Sequence, residues 1–207
     1  MRVQDFCNIG IGHAFRQRLT RVPDGNVLVI QPKNIAPDGS ISFGDEGPLR
    51  TYVAVSRPLW PNDVLIVNRG RFAAAVFDLP ESDPWIVPSS ILVLSVNMRA
   101  VLPEYVACYF NSSSGQRLFR RHCEQTTVPF MSAKNLGDLD LPIPSLDRQH
   151  SLVAFDRATA RYAVLSSRKQ ELLRGILNRE LRIKNDHHEV HEENEEYNHG
   201  KHGIARK

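Results

Sequence analysis

Ser145 to Ile183 reads SLDRQHSLVAFDRATARYAVLSSRKQELLRGILNRELRI and decides the fold. It follows the turn signal Leu141-Pro142-Ile143-Pro144, contains no proline, and has Gly175 as its only glycine. Apolar residues recur at Phe155, Ala158, Tyr162, Leu165, Leu172, Ile176 and Ile183, the spacing of a helix with one apolar stripe. Lys169 and Arg179 stand where the stripe should continue. At one and a half ångströms per residue such a helix is about 55 Å long, longer than a small domain is wide. It cannot bury that stripe along its whole length against one domain, so it reads as a coiled-coil arm that requires a partner. The competing reading is a C-terminal helix folded back on its own domain. Ser145 suits the N-cap, with Gln149 one residue beyond the acceptor position of a capping box. Asp147 in the first turn, and Arg179, Arg182 and Lys184 in the last turns, complement the helix dipole.

The 207 residues, 42% hydrophobic, allow one sizeable core and an appendage. The three cysteines, Cys7, Cys108 and Cys123, are odd in number and follow no CxxC spacing. That indicates neither a disulfide framework nor a zinc site and favours a reducing cytoplasm. The longest uncharged run, Trp85 to Met98, is broken by Pro88 and is too short to span a bilayer. The first residues lead into no apolar signal core. The expectation is a soluble cytoplasmic protein without membrane contact. From Asn185 onward there are six acids and three bases, which leaves 23 Lys+Arg against 17 Asp+Glu in residues 1–184, a net +6. A basic body suits a polyanionic partner. The tail holds five of the eight histidines and is expected to be disordered.

Before the arm, the chain reads as short strands separated by irregular loops. Val27-Leu28-Val29-Ile30 lies between Asp24-Gly25 and Pro32. The block Trp60-Pro61-Asn62-Asp63-Val64-Leu65-Ile66-Val67-Asn68-Arg69-Gly70 is a turn feeding an apolar strand. Ala73 to Phe77 and Ser90 to Val96 read as two further strands. Pro103 suits the first position of a helix with Tyr105, Val106, Tyr109 and Phe110 on its apolar face. A second helix is expected over Gly115 to His122, carrying Arg117, Arg120 and Arg121. The fold class expected is α+β: a β-rich domain with short helices over 1–144, the long helix over 145–184, and the tail over 185–207.

The chemistry is that of a binder. Gly10-Ile11-Gly12-His13 lacks the third glycine of a dinucleotide loop, Phe15 standing in its place. With Arg16, Arg18 and Arg21 it reads as a flexible loop able to lie on phosphates, or simply as a solvated one. His187, Glu189 and His191 could bind a metal in a helical tail, but His188-Glu189-Val190-His191 is one residue short of HExxH, and a solvated tail is the simpler reading. Asp24 with Gln31-Pro32-Lys33 resembles the metal site of many restriction nucleases. A Mg²⁺ site needs carboxylates where this chain offers a glutamine, and Pro32 sits where a strand should carry the lysine. No base-flipping Asn/Asp-Pro-Pro-aromatic motif, methyl-donor glycine loop or nucleophile–histidine arrangement is present, so neither a metal nor a cofactor is expected.

The block from Pro61 to Gly70 resembles the specificity subunits of type I restriction–modification systems. Val3 to Ile9 with Gly12 and Phe15, Val29 to Ile35 with Asp38-Gly39, Ser89 to Val96, Leu102 to Asn111, and Leu139 to Pro144 with Leu146 and Gln149 extend the resemblance to about residue 183. It implies a target recognition domain that reads double-stranded DNA, followed by a spacer helix that pairs with another. A methyltransferase (modification) subunit docks on that framework and a restriction subunit joins them. The usual subunit carries two recognition domains and two helices; this chain has one of each. It looks like a half-subunit that either forms a homodimer or is an inert remnant. The resemblance places the DNA face at Arg16, Arg18, Lys33, Asn34, Arg69, Arg71 and Lys134, and the dimerisation seam at Phe155, Tyr162, Leu165, Leu172 and Ile176.

Overall fold

The computed structural model describes residues 1–54, 57–80, 83–124 and 127–199, with side chains through residue 181. It is α+β, as the sequence implies. Its elements are α1 (Val3–Phe6), β1 (Cys7–Ile11), β2 (Val27–Val29), a 3₁₀ turn (Pro32–Asn34), β3 (Leu49–Thr51), β4 (Val64–Val67), β5 (Ala73–Val76), β6 (Trp85–Ile86), β7 (Ile91–Val96), α2 (Pro103–Asn111), α3 (Ser113–His122), α4 (Ala133–Gly137) and α5 (Leu146–His199). Two compact units divide the chain, Met1–Arg157 and Ala158–Lys207.

In the first unit, β1, β7, β4 and β5 form an antiparallel sheet in that order. Val64, Ile66, Ala74, Leu92 and Leu94 face one way, against α2, α3 and α4 through Val106, Phe110, Phe119 and Leu136. Leu65, Val67, Ala73, Ala75, Ile91 and Val93 face the other, against Ile30, Ile35, Phe77 and Trp85. A strand covered on both faces needs apolar residues at every position, which is why Val64 to Val67 is an unbroken apolar run. The second sheet, β3-β2-β6, is small and mixed, with β2 antiparallel to β3 and parallel to β6. At the open edge of β5 the Asn111 amide acts as a strand partner. It accepts from Ala74 N–H at 2.8 Å and donates to Ala74 C=O at 2.7 Å, closing an edge that could otherwise pair with another chain.

Two expectations are corrected. Gly10 and Gly12 do not form a flexible phosphate loop: Gly10 lies within β1, and a Cβ on Gly12 would stand 2.2 Å from the Pro88 carbonyl oxygen. Gly12 is glycine because the backbone of Val87 and Pro88 passes too close for a side chain. Gln149 is not a displaced capping-box residue. It is fully buried, its Oε1 accepting from Leu102 N–H (2.8 Å) while its Nε2 donates to the carbonyls of Ala100 (3.0 Å) and Pro144 (2.8 Å). With Val153 it anchors the opening turns of α5 in the first unit's core.

In the second unit, α5 exposes Tyr162, Leu165, Leu172 and Ile176, with Val164, Leu173, Leu177 and Leu181. Phe155, on the same helix, is exposed as well, and the five residues expected in the seam are 60–74% accessible. The expected disordered tail, and the metal reading of His187, Glu189 and His191, fall outside the residues whose side chains are described. No described helix is long and apolar enough to cross a membrane.

Cys7, Cys108 and Cys123 form no disulfide. Burial pushes the Cys7 thiol up to about 12; burial, then the neighbouring Asp156 carboxylate, pushes Cys108 up to about 11. A thiol kept neutral in the fold stabilises it fully below the unfolded value near 9. That contribution is lost as pH rises from there through the folded values. Alkylation at pH 8 by iodoacetamide, read by mass spectrometry, should therefore leave both largely unmodified in the native protein and modify both in urea.

Candidate nucleic-acid interface

The two ends of the four-stranded sheet differ in charge. The register brings together the last residues of β1 and β4 and the first of β5 and β7, with Ile11 opposite Leu92 and Val67 opposite both Ile91 and Ala73. At the opposite end stand Asp5, Asp63 and Asp78, with Arg2 and Arg99 beside them. Asp63 is buried there, accepting from Trp60 N–H at 3.0 Å and the Ser95 hydroxyl at 2.7 Å.

At the first end, β4 runs into the tight turn Asn68-Arg69-Gly70-Arg71. Gly70 has φ +74°, a left-handed conformation that glycine adopts without strain. Gly70 N–H donates to Pro129 C=O (2.8 Å) and Met131 N–H to Asn68 C=O (2.8 Å), holding segment 129–131 alongside the turn. The Arg69 guanidinium lies 5.1 Å from the centre of the Phe130 ring, a cation–π contact that steadies it while leaving its donors exposed. Arg71 donates to Ile35 C=O at 2.6 Å and, more weakly, to Pro32 C=O at 3.5 Å. The 3₁₀ turn carrying Lys33 is thereby tied to the same place.

Other segments join through the backbone. Glu124 N–H donates to Phe130 C=O at 2.7 Å, so the C-terminal end of α3 meets the turn's neighbour. Asn135, next to exposed Lys134 on α4, donates to His122 C=O at 3.2 Å. Asn68 N–H donates to Ser90 C=O and Ser89 N–H to His13 C=O, linking the loop that carries Arg16 and Arg18. That loop is anchored by Phe15 and Leu19 on Val27, Val29 and Ile86, leaving Arg16, Gln17 and Arg18 exposed. Arg21 instead is held at the surface of the 46–48 loop, donating to the carbonyls of Pro48 and Gly47 and pairing with Glu46.

Of the seven residues expected on the DNA face, Arg16, Arg18, Lys33, Arg69, Arg71 and Lys134 are exposed and lie on these linked segments. Asn34 differs: it is 8% accessible, its Oδ1 accepting from Gln31 N–H at 2.9 Å and its Nδ2 donating to Ser42 C=O at 2.8 Å. Its amide staples the loop. Sequence reasoning did not place Arg117, Arg120 and Arg121 here; all three are exposed on α3, whose other side buries Phe119. Their three- and four-residue spacing around a buried phenylalanine is the signal that could have found them. Across segments 12–22, 32–35, 68–71, 117–124 and 129–135, Glu124 is the only acid. Arginine forks in such a patch can grip phosphate oxygens or the paired acceptors of guanine.

The nuclease constellation is not assembled. Asp24 precedes one end of β2, and Lys33 follows the other in a 3₁₀ turn rather than on a strand. Among the described residues no group of His, Cys, Asp or Glu is placed to hold a metal ion.

No protein-family model matches the chain, and no curated protein matches it in sequence. Solved structures do. A chain from a type I restriction–modification system, solved to explain its assembly and conformational transition, superposes with a TM-score of 0.66 at 18% identity, covering 86% of this chain and 42% of its own. The HsdS subunit of Thermoanaerobacter tengcongensis gives 0.59 at 16% identity, covering 82% and 39%. The S subunit of a type I system from M. genitalium gives 0.52 at 14%, covering 80% and 40%. The fold is therefore that of type I specificity subunits. This chain spans about two fifths of the length of the structures it matches.

Proposed function

We propose that this chain is a non-catalytic DNA-recognition subunit of a type I restriction–modification complex. The observation that carries the reading is the gathering of Arg16, Arg18, Lys33, Arg69, Arg71 and Lys134 at one end of a specificity-subunit fold. That end grips double-stranded DNA and reads one short half-site. The exposed apolar stripe of α5 pairs with a second copy, and a methyltransferase subunit, with a restriction subunit beyond it, docks on the pair. Lys169 and Arg179 in the seam disfavour parallel pairing, which would set each against its own copy. Antiparallel pairing relates the two recognition domains by a two-fold axis. Identical domains so related read the same sequence on opposite strands, a split palindrome with half-sites roughly one helical turn apart, about 10 bp centre to centre.

Reconstitution tests this. Purified protein with a cognate methyltransferase subunit should bind and methylate DNA at one motif, and should not nick supercoiled plasmid in Mg²⁺ alone. Nicking that disappears in Asp24→Ala would make the protein a small Mg²⁺ nuclease instead, and no specific binding with any partner would make it an inert fragment. Deleting one heptad from α5 should change the spacer or abolish binding while the half-site sequence stays the same.

A further inference from the structure

At the basic end of the sheet, the segment from His13 to Val22 is held at both stems. His13 N–H donates to Val87 C=O at 2.7 Å, and Val22 N–H to Arg50 C=O at 2.8 Å. Between the stems, Phe15 and Leu19 pack against Val27, Val29 and Ile86, and the Phe15 ring meets that of His13 edge-on at 4.7 Å. The short span between these two apolar anchors leaves three consecutive side chains exposed, Arg16, Gln17 and Arg18. They line an open groove of about 600 Å³ together with Thr20 and the exposed ring of Tyr52. We propose that Gln17 is a base-reading residue, its carboxamide pairing with the major-groove edge of an adenine while Arg16 and Arg18 hold phosphates on either side. This rests on the DNA-recognition reading above.

Adenine presents an acceptor, N7, beside a donor, the N6 amino group. A carboxamide carries one acceptor and one donor group and matches both at once, whereas guanidinium and ammonium groups only donate and suit guanine or phosphate. Across segments 12–22, 32–35, 68–71, 117–124 and 129–135 there are four carboxamides. Asn34 and Asn68 are buried, and Asn135 is half-buried with its amide donating to His122 C=O. Gln17 is the exposed one, and its side chain makes no hydrogen bond to any described residue. Its whole pairing capacity faces the groove. A span this short between packed anchors also leaves the backbone little freedom to lose on binding, so the amide is presented at a defined place. The flanking charges complete the arrangement, because phosphate contacts fix the register in which a base contact can discriminate. Arg69, a pure donor on a different segment, cannot substitute for that amide at an adenine.

Selection of bound duplexes from a random pool, followed by sequencing, tests this on the full chain reconstituted with a methyltransferase subunit, with circular dichroism to establish that each variant is folded. Wild type should enrich an adenine at one position of the half-site. Gln17→Ala should lose that preference by roughly 10- to 100-fold while the other positions keep theirs. A duplex carrying 7-deazaadenine there, whose ring lacks the N7 acceptor, should bind wild type more weakly than the adenine duplex and bind Gln17→Ala equally well. Arg16→Ala should instead lower affinity evenly across sequences and flatten the salt slope by about one. A Gln17→Ala protein that keeps every base preference, loses affinity evenly across all sequences, or loses its preference at a G·C pair overturns the assignment and leaves DNA recognition standing. Wild type that binds all duplexes alike, or none, overturns both.

Discussion

Replacing Gln149 by alanine should lower the stability of the recognition domain by about 3–5 kcal/mol. The side chain satisfies three backbone groups at once, Leu102 N–H and the carbonyls of Ala100 and Pro144, with no accessible surface. A buried polar group stripped of its partner costs about 1–3 kcal/mol. Three such groups, even partly relieved by entering water, remove a large share of a domain's typical 5–15 kcal/mol, itself an approximate range. Gln149→Glu should fare little better, since a carboxylate keeps the acceptor for Leu102 N–H and loses both donors while burying a charge. Urea unfolding followed by circular dichroism measures the difference. A loss below about 1 kcal/mol would show that the three groups find other partners.

Arg69→Ala should weaken DNA binding by about 1–3 kcal/mol, up to roughly 150-fold in Kd. Arg69 projects from a turn fixed by Gly70 and by the 129–131 segment, and its guanidinium rests on Phe130. Its donors are therefore presented with little freedom left to lose. If it grips a guanine, selectivity at one base pair should relax while the other positions keep theirs. If it grips phosphate, affinity should fall evenly across sequences and the slope of log K against log salt should flatten by about one. Fluorescence anisotropy on matched and mismatched duplexes at several salt concentrations separates these results. Unchanged affinity and unchanged salt slope would remove Arg69 from the interface.

The stretches with two covered faces were legible because they permit no polar residue: Val64 to Val67, Ala73 to Phe77 and Ile91 to Leu94 are unbroken apolar runs for that reason. β1 was hidden because Asn8 and Gly10 interrupt its pattern. β3 and β6 are three and two residues long, too short for any period to register. The site was half legible. Basic residues in loops could be picked out, but the hydrogen bonds that bring the loops together join residues distant in sequence. Asn34 looked like a base reader because an asparagine in a loop can serve either partner, and only Ser42 and Gln31 around it decide the matter. Gln149 was one residue out of place for a cap because its three partners lie on other segments.

The split palindrome is tested most directly by mapping DNA methylation in cells that carry this chain together with a type I methyltransferase subunit and no other specificity subunit. A homodimer of one recognition domain predicts a bipartite motif whose two halves are the same sequence on opposite strands, separated by a fixed run of indifferent bases. A motif with two different halves would contradict it, since one domain cannot read both.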